Sequence, residues 1–233
     1  AARLAIRGER IMAGTPGPID KAAPQDAQMY PALAAGAAGA RIAWEDRRKG
    51  HTAIYASSSR DGAHWAAPSQ VNEGSQAQSN VGRGTGAMRP TLAPFGRGGS
   101  AVVWLDKRDF LAGYDVYAAL SEDGGVRFGA NVKAQDSFGD AIAQWHATAA
   151  GNAKGDLVIA WDDDRDGNSD IWLTWLTPEG FAENISPPPA HTKDSQTDPV
   201  LALDAAGNLH LAWIERGSDD SSRIRYLFGK RLP

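Results

Sequence analysis

The chain contains no cysteine. Disulfides, thiolate metal sites and a cysteine nucleophile are therefore excluded, although the compartment is not decided by this, because a sufficient core needs no disulfides. No apolar run approaches the roughly 20 residues that a membrane-spanning helix requires. Neither sign of charge dominates: 24 Lys and Arg stand against 28 Asp and Glu, for a net charge of −4. Such a balance leaves no electrostatic footprint for nucleic acid or an anionic membrane. No glycine-rich phosphate loop opens a helix, and no Gly-x-Ser-x-Gly elbow occurs. The five histidines (51, 64, 146, 191 and 210) show no close pairing suited to zinc. The chain begins Ala1-Ala2-Arg3, as a mature chain does after loss of a signal peptide, or as a trimmed one does.

What is present is a repeat. Trp44, Trp104, Trp161 and Trp213 each end an alternating apolar stretch, at separations of 60, 57 and 52 residues. A Pro-led apolar segment precedes three of them, at Pro31, Pro90 and Pro199; the third copy has Ala147-Thr148-Ala149 instead. About ten residues beyond each Trp lies a second strand signal, centred on Ile54-Tyr55, Val116-Tyr117, Ile171-Trp172 and Ile224-Arg225. A shorter β-branched segment closes three copies, around Val71, Val132 and Ile185. A unit of four strands, copied four times, is the signature of propeller blades. We expect an all-β propeller of one domain, with blades at about 28–73, 88–134, 145–187 and 197–228. A strand over 3–11 is expected to add to the last blade and close the ring, protecting its edges; the alternative is a piece of a larger ring. The stretch 72–88 reads as an inserted loop between blades.

Two motifs recur. Trp-x-Asp-x-Arg appears as Trp44/Asp46/Arg48, Trp104/Asp106/Arg108 and Trp161/Asp163/Arg165, and the fourth copy keeps Trp213 and Glu215 but has Gly217 for Arg. In a strand these positions share one face. The simplest role is a structural ion pair in each blade; the functional one is a ring in which Arg48, Arg108 and Arg165 grip a polar ligand. Ser-x-Asp-Gly before an aromatic appears as Ser59/Asp61/Gly62 with Trp65 and as Ser121/Asp123/Gly124 with Phe128, and Thr177-Pro178-Glu179-Gly180-Phe181 is a worn copy. This is turn chemistry.

These turns resemble Asp-box (BNR) repeats, and the whole unit resembles sialidase-like propellers over about residues 28–228. The resemblance implies a glycoside hydrolase with a Tyr nucleophile assisted by Glu, a separate acid, and three Arg that clamp a carboxylate. Where such enzymes carry Arg-Ile-Pro, this chain has Met29-Tyr30-Pro31, and Tyr226 matches Tyr55 and Tyr117 in the repeat. The sequence therefore singles out no catalytic residue. The expectation is a non-catalytic extracytoplasmic interaction module or accessory subunit that binds a protein partner or a glycan; the alternative is a sialidase-type glycoside hydrolase.

Two further sites were candidates. Asp162, Asp164, Asp166 and Asp170 lie in an Asp-x-Asp-x-Asp-Gly segment that opens like a calcium loop but has Leu173 where the closing acid would stand; the simplest reading is a solvated acidic hairpin with no cofactor, the alternative a structural Ca²⁺. Trp145 and His146 break the repeat where Pro would stand and are candidates for a ligand surface near the axis.

Overall fold

The computed structural model describes residues 4–7, 10–22, 27–73, 86–108, 113–136 and 142–231. Apart from a 3₁₀ turn at Pro188–Ala190, its regular elements are strands. None of its helices is long and apolar enough to cross a membrane.

Blade 1 is the sheet β3 (Gln28–Gly36), β4 (Gly39–Asp46), β5 (Ala53–Ser59) and β6 (Ser69–Gln70). Blade 2 has β7 (Gly86–Phe95), β8 (Gly99–Lys107), β9 (Asp115–Ser121) and β10 (Val132–Lys133). Blade 3 has β11 (Trp145–Gly151), β12 (Leu157–Asp163), β13 (Asp170–Thr177) and β14 (Gly180–Phe181). Blade 4 has three strands, β15 (Ser195–Leu203), β16 (Leu209–Arg216) and β17 (Ser222–Gly229). Each is an antiparallel meander in chain order. Most of the expected inter-blade loop, 74–85, lies outside the described residues.

The expected closing strand is a hairpin of its own. β1 (Leu4–Arg7) pairs with β2 (Arg10–Ala13), Leu4 opposite Ala13 and Arg7 opposite Arg10. Folding back on itself lets the segment satisfy its backbone groups locally. Among the described residues no strand adds to the outer edge of β17.

Period two decides what lies between blades. Trp104 and Val102 pack with Ala43, Ile54, Ala56 and Val71 of blade 1. Trp161 and Ile159 pack with Val103, Leu105 and Val116 of blade 2. Trp213 and Leu211 pack with Ala160, Ile171 and Leu173 of blade 3. Trp104, Trp161 and Trp213 thus each plug the face of the preceding blade, whereas Trp44 packs with Ala53 and Tyr55 of its own blade; removing such a side chain typically costs about 3–5 kcal/mol.

The same logic marks where stacking stops. The register puts Ile214 opposite Ile224 and Ala212 opposite Tyr226, as Asp162 stands opposite Ile171 and Ala160 opposite Leu173. Ile171 and Leu173, under blade 4, are 0% and 4% exposed; their counterparts Ile224 and Tyr226 are 75% and 61% exposed. Ile224→Lys is accordingly expected to leave stability within about 0.5 kcal/mol of the parent, whereas Ile171→Lys places an unpaired charge in a closed core and abolishes cooperative folding. Urea melts of the two variants provide the comparison.

Candidate functional site

The Trp-x-Asp-x-Arg motif is an internal brace. Trp44 Nε1 donates to Asp46 Oδ2 at 3.0 Å, Trp104 to Asp106 at 2.8 Å and Trp161 to Asp163 at 2.9 Å. Arg48, Arg108 and Arg165 pair with the same carboxylates at 2.6–2.7 Å. Each guanidinium also lies over the aromatic ring across the ladder, on Tyr55, Tyr117 and Trp172 at 4.3, 3.8 and 3.9 Å. An acid from an adjoining segment adds a second contact in two copies, Asp20 to Arg48 at 2.5 Å and Asp136 to Arg165 at 3.2 Å. Blade 4 rebuilds the brace differently. Arg225, on β17 opposite Trp213, reaches Glu215 at 2.5 Å and so replaces the guanidinium that Gly217 lacks. The Trp213 indole N–H is left without a partner. The three arginines thus stand in braces, with their charges engaged.

The Ser-x-Asp-Gly turns cap the opposite ends of the blades. Asp61 accepts the backbone N–H groups of Ala63 and His64 at 2.8 Å, and Asp123 those of Val126 and Arg127 at 3.1 and 2.9 Å. Ser59 and Ser121 donate to these carboxylates at 3.2 and 2.8 Å. Gly62 and Gly124 take the positive φ that the turn demands. Hydrogen bonds from Arg127 chief among them hold the Asp123 carboxyl down to about 2.

The chemistry gathers elsewhere, at the head of each first strand. All four first strands carry a bulge, between Met29 and Ala32, Met88 and Thr91, Trp145 and Thr148, and Thr197 and Val200. At each bulge one non-glycine residue has left-handed backbone: Tyr30 at φ 49°, Arg89 at 54°, His146 at 48° and Asp198 at 56°. These positions are equivalent in the repeat, yet the four side chains are a phenol, a guanidinium, an imidazole and a carboxylate. Tyr30, Arg89, Trp145 and His146 line one cavity of about 570 Å³, with Met88, Leu105 and the Pro199-Val200 step on its walls. The Arg89 guanidinium lies over the Tyr30 ring at 4.1 Å, and the Trp145 ring meets Tyr114 at 5.3 Å between centroids.

Two buried carboxylates underlie this pocket. They occupy the x position of Trp-x-Asp: Glu45 in blade 1 and Asp162 in blade 3, where the other blades have Leu105 and Ile214. Glu45 Oε1 accepts the Arg89 backbone N–H at 2.7 Å, and Asp162 Oδ1 accepts that of Asp198 at 3.0 Å. Each acid therefore holds the bulge of the following blade in place. Asp162 Oδ1 also lies 2.8 Å from His146 Nδ1, and His146 Nε2 lies 3.4 Å from Asp198 Oδ1. Burial pushes the Glu45 carboxyl above its usual range, with Arg89 opposing. Burial does the same to Asp162, opposed by His146.

The sequence-predicted residues distribute as follows. Trp145 and His146 stand in the pocket. Arg48, Arg108 and Arg165 do not line it. The four aspartates expected around calcium are not brought together. Adjacent residues in a strand point to opposite faces, so Asp162 turns to His146, while Asp166 and Asp170 gather with His191 and Asp164 is exposed. Tyr30, Glu45, Arg89 and Asp198 were missed. Their signal was two columns of the aligned copies in which residue chemistry changes: the residue before the Pro-led segment for Tyr30, Arg89 and Asp198, and the x of Trp-x-Asp for Glu45.

No protein-family model matches this chain, and no curated protein matches it. Solved structures do. A Hadza microbial sialidase matches with a TM-score of 0.58 at 14% identity, over 88% of this chain and 46% of that one. The GH93 α-L-arabinofuranosidase of Fusarium graminearum, in complex with arabinobiose, matches at 0.59 and 16%, over 88% and 63%. A Penicillium chrysogenum α-L-arabinanase complexed with arabinobiose matches at 0.56 and 14%, over 84% and 64%. The chain spans about half to two thirds of the length of these structures. It has the sialidase-like β-propeller fold.

Proposed function

We propose that the pocket at the head of the first strands binds a saccharide and that its Asp198–His146–Asp162 chain serves glycosidic-bond hydrolysis. The observation that carries this reading is the divergence of four equivalent bulge positions into four different functional groups, three of which, Tyr30, Arg89 and His146, line one cavity. Left-handed backbone at non-glycine residues costs on the order of 1–3 kcal/mol each and persists where surrounding structure holds it. A purely structural position would have kept one residue type, or glycine. The fold likeness to glycoside hydrolases supports the same choice over a non-catalytic module, though fold alone decides no activity.

The roles follow from position. Trp145 and Tyr30 offer flat apolar faces to a sugar ring, and Arg89 offers directed donors to its hydroxyl or carboxylate groups. Asp198, whose Oδ1 stands 3.4 Å from His146 Nε2 and whose neighbours Pro199 and Val200 line the cavity, takes the role of the acid toward a glycosidic oxygen. With Nδ1–H donating to Asp162, His146 presents Nε2 to Asp198 and can take or return its proton. Glu45 and Asp162 place negative charge beneath the floor, where an oxocarbenium-like centre would be stabilised. Only Arg89 among the described pocket residues is an arginine, so we propose a glycan other than a sialoside, one without the carboxylate that three arginines would clamp.

The test is turnover of a panel of aryl glycosides, including arabinofuranosides and a sialoside, alongside oligosaccharide binding by calorimetry. Turnover of a non-sialoside supports the proposal. Binding without turnover of any member would return the chain to the interaction-module reading.

A further inference from the structure

A second cluster lies at the same end of blade 3, one strand outward from the pocket. The register pairs Trp145 with Asp162 and Asp163 with Asp170, which places Asp170 at the β12–β13 connection. Asp166, Asp170 and His191 each bring one ligand-capable atom there, all within 4.8 Å of one another.

Asp170 is 1% exposed, and its Oδ1 has no hydrogen-bond partner. The equivalent residue in blade 2, Asp115, is half-buried and meets Lys133 Nζ at 3.0 Å and a Gln135 amide. Blade 3 provides no such cation. What faces Asp170 is His191, whose Nδ1 stands 3.6 Å from Asp170 and whose Nε2 stands 4.0 Å from Asp166. Both separations are too long for hydrogen bonds. The surrounding charges are acidic: Asp166 and Asp163 both press on Asp170. Burial, first, pushes its carboxyl up.

The segment carrying His191 is held in place. Pro187, Pro188 and Pro189 lead into the 3₁₀ turn, and the His191 ring meets Trp172 edge-on at 6.1 Å. Asn168 donates to the Thr192 and Asp194 carbonyls at 3.0 and 2.9 Å, and buried Gln196 donates to Thr192 Oγ1 at 2.7 Å. The loop between Asp166 and Asp170 is thereby tied to the segment entering blade 4.

We infer that Asp166, Asp170 and His191 form a binding site for a divalent transition ion of the zinc type, which clips the β12–β13 connection to the linker between blades 3 and 4. A triangle with sides of 4.8 Å puts its centre about 2.8 Å from each corner. Contraction by less than an ångström reaches the ~2.0–2.2 Å of Zn–N and Zn–O bonds. Imidazole with two carboxylates suits zinc and its neighbours rather than calcium, which takes oxygen ligands. The His146 group differs. Its Nδ1 already makes a 2.8 Å hydrogen bond, and its two acids lie against opposite nitrogens.

The inference is independent of the proposed hydrolysis and is read without it. Protein stripped with a chelator is titrated with Zn²⁺ and, separately, with Ca²⁺, by calorimetry and by thermal melting. One Zn²⁺ per chain and a raised melting temperature are expected. His191→Ala and Asp166→Asn, both at exposed residues, are each expected to weaken that binding roughly 100-fold. Asp170→Asn is expected to abolish the zinc-dependent shift without lowering the melting temperature of the metal-free protein, since it relieves a buried carboxylate with one unbonded oxygen beside Asp166 and Asp163. Absence of micromolar zinc binding, a thermal shift with Ca²⁺ and not with Zn²⁺, or unchanged zinc affinity in the His191 and Asp166 variants would overturn the site.

Discussion

Exchange of Asp198 for Asn is expected to lower kcat on the best glycoside by about 10²–10⁴-fold, the range of a lost general acid or base, with KM changed little. The substitution suits the position. Asn tolerates left-handed backbone as Asp does, and the backbone N–H that bonds to Asp162 is retained. The melting temperature is therefore expected to stay near that of the parent, which separates lost chemistry from lost fold. His146→Asn keeps the backbone by the same reasoning but breaks the link between Asp162 and Asp198. It should likewise reduce kcat. An Asp198→Asn enzyme with parental turnover would remove the pair from the mechanism.

A large effect on stability is also expected at Asp46. Its carboxylate is fully buried and receives the Trp44 indole, the Gln28 amide and the Arg48 guanidinium and backbone N–H. Ala in its place leaves those donors unpaired and Arg48 with Asp20 alone, at a cost of about 3–5 kcal/mol. For a chain of this length that is a fall in melting temperature of roughly 6–20 °C. Burial alone would raise the Asp46 carboxyl, but the hydrogen bonds from Arg48, Trp44 and Gln28 outweigh it and hold the group well below the usual carboxylate range. Below its ordinary pKa of ~3.9 the unfolded chain binds the proton first. The stabilisation is thus complete above that value and is lost as pH falls through the folded one. Asp46→Asn should flatten the acid limb of the stability curve while lowering stability at neutral pH. Urea melts at pH 7 and pH 3 test both; a parental acid limb in the variant would assign acid lability elsewhere.

The architecture was legible because stacking repeats a demand. Blades 2, 3 and 4 each need an indole to plug the blade before, and the strand 3–4 turns of blades 1 and 2 need Asp and Gly, so those residues recur at readable intervals. The weak point was the reverse inference, that a position copied four times carries only structure. Copying applied to the backbone of the bulge and not to the side chain on it, so Tyr30, Arg89, His146 and Asp198 looked like four unrelated residues. Asp162 and Asp163 show the same limit. Side by side in the sequence they read as one acidic run, yet strand alternation gives one to the indole brace and the other to the pocket. The partner of Asp170 could not be read at all, since His191 lies 21 positions further on and meets it only after blade 3 has folded.

The left-handed bulges also shape how such a disc can diversify. Main-chain direction at the Arg89 and Asp198 bulges is held by the carboxylate of the blade before, Glu45 and Asp162, so the side chain at such a bulge can change without disturbing its neighbours. Admission is unequal, however. Asp and His enter that backbone region readily, while Tyr and Arg enter it at greater cost. Tyr30 and Arg89 are therefore the two bulge positions at which exchange for Asn or Gly is expected to stabilise the fold most.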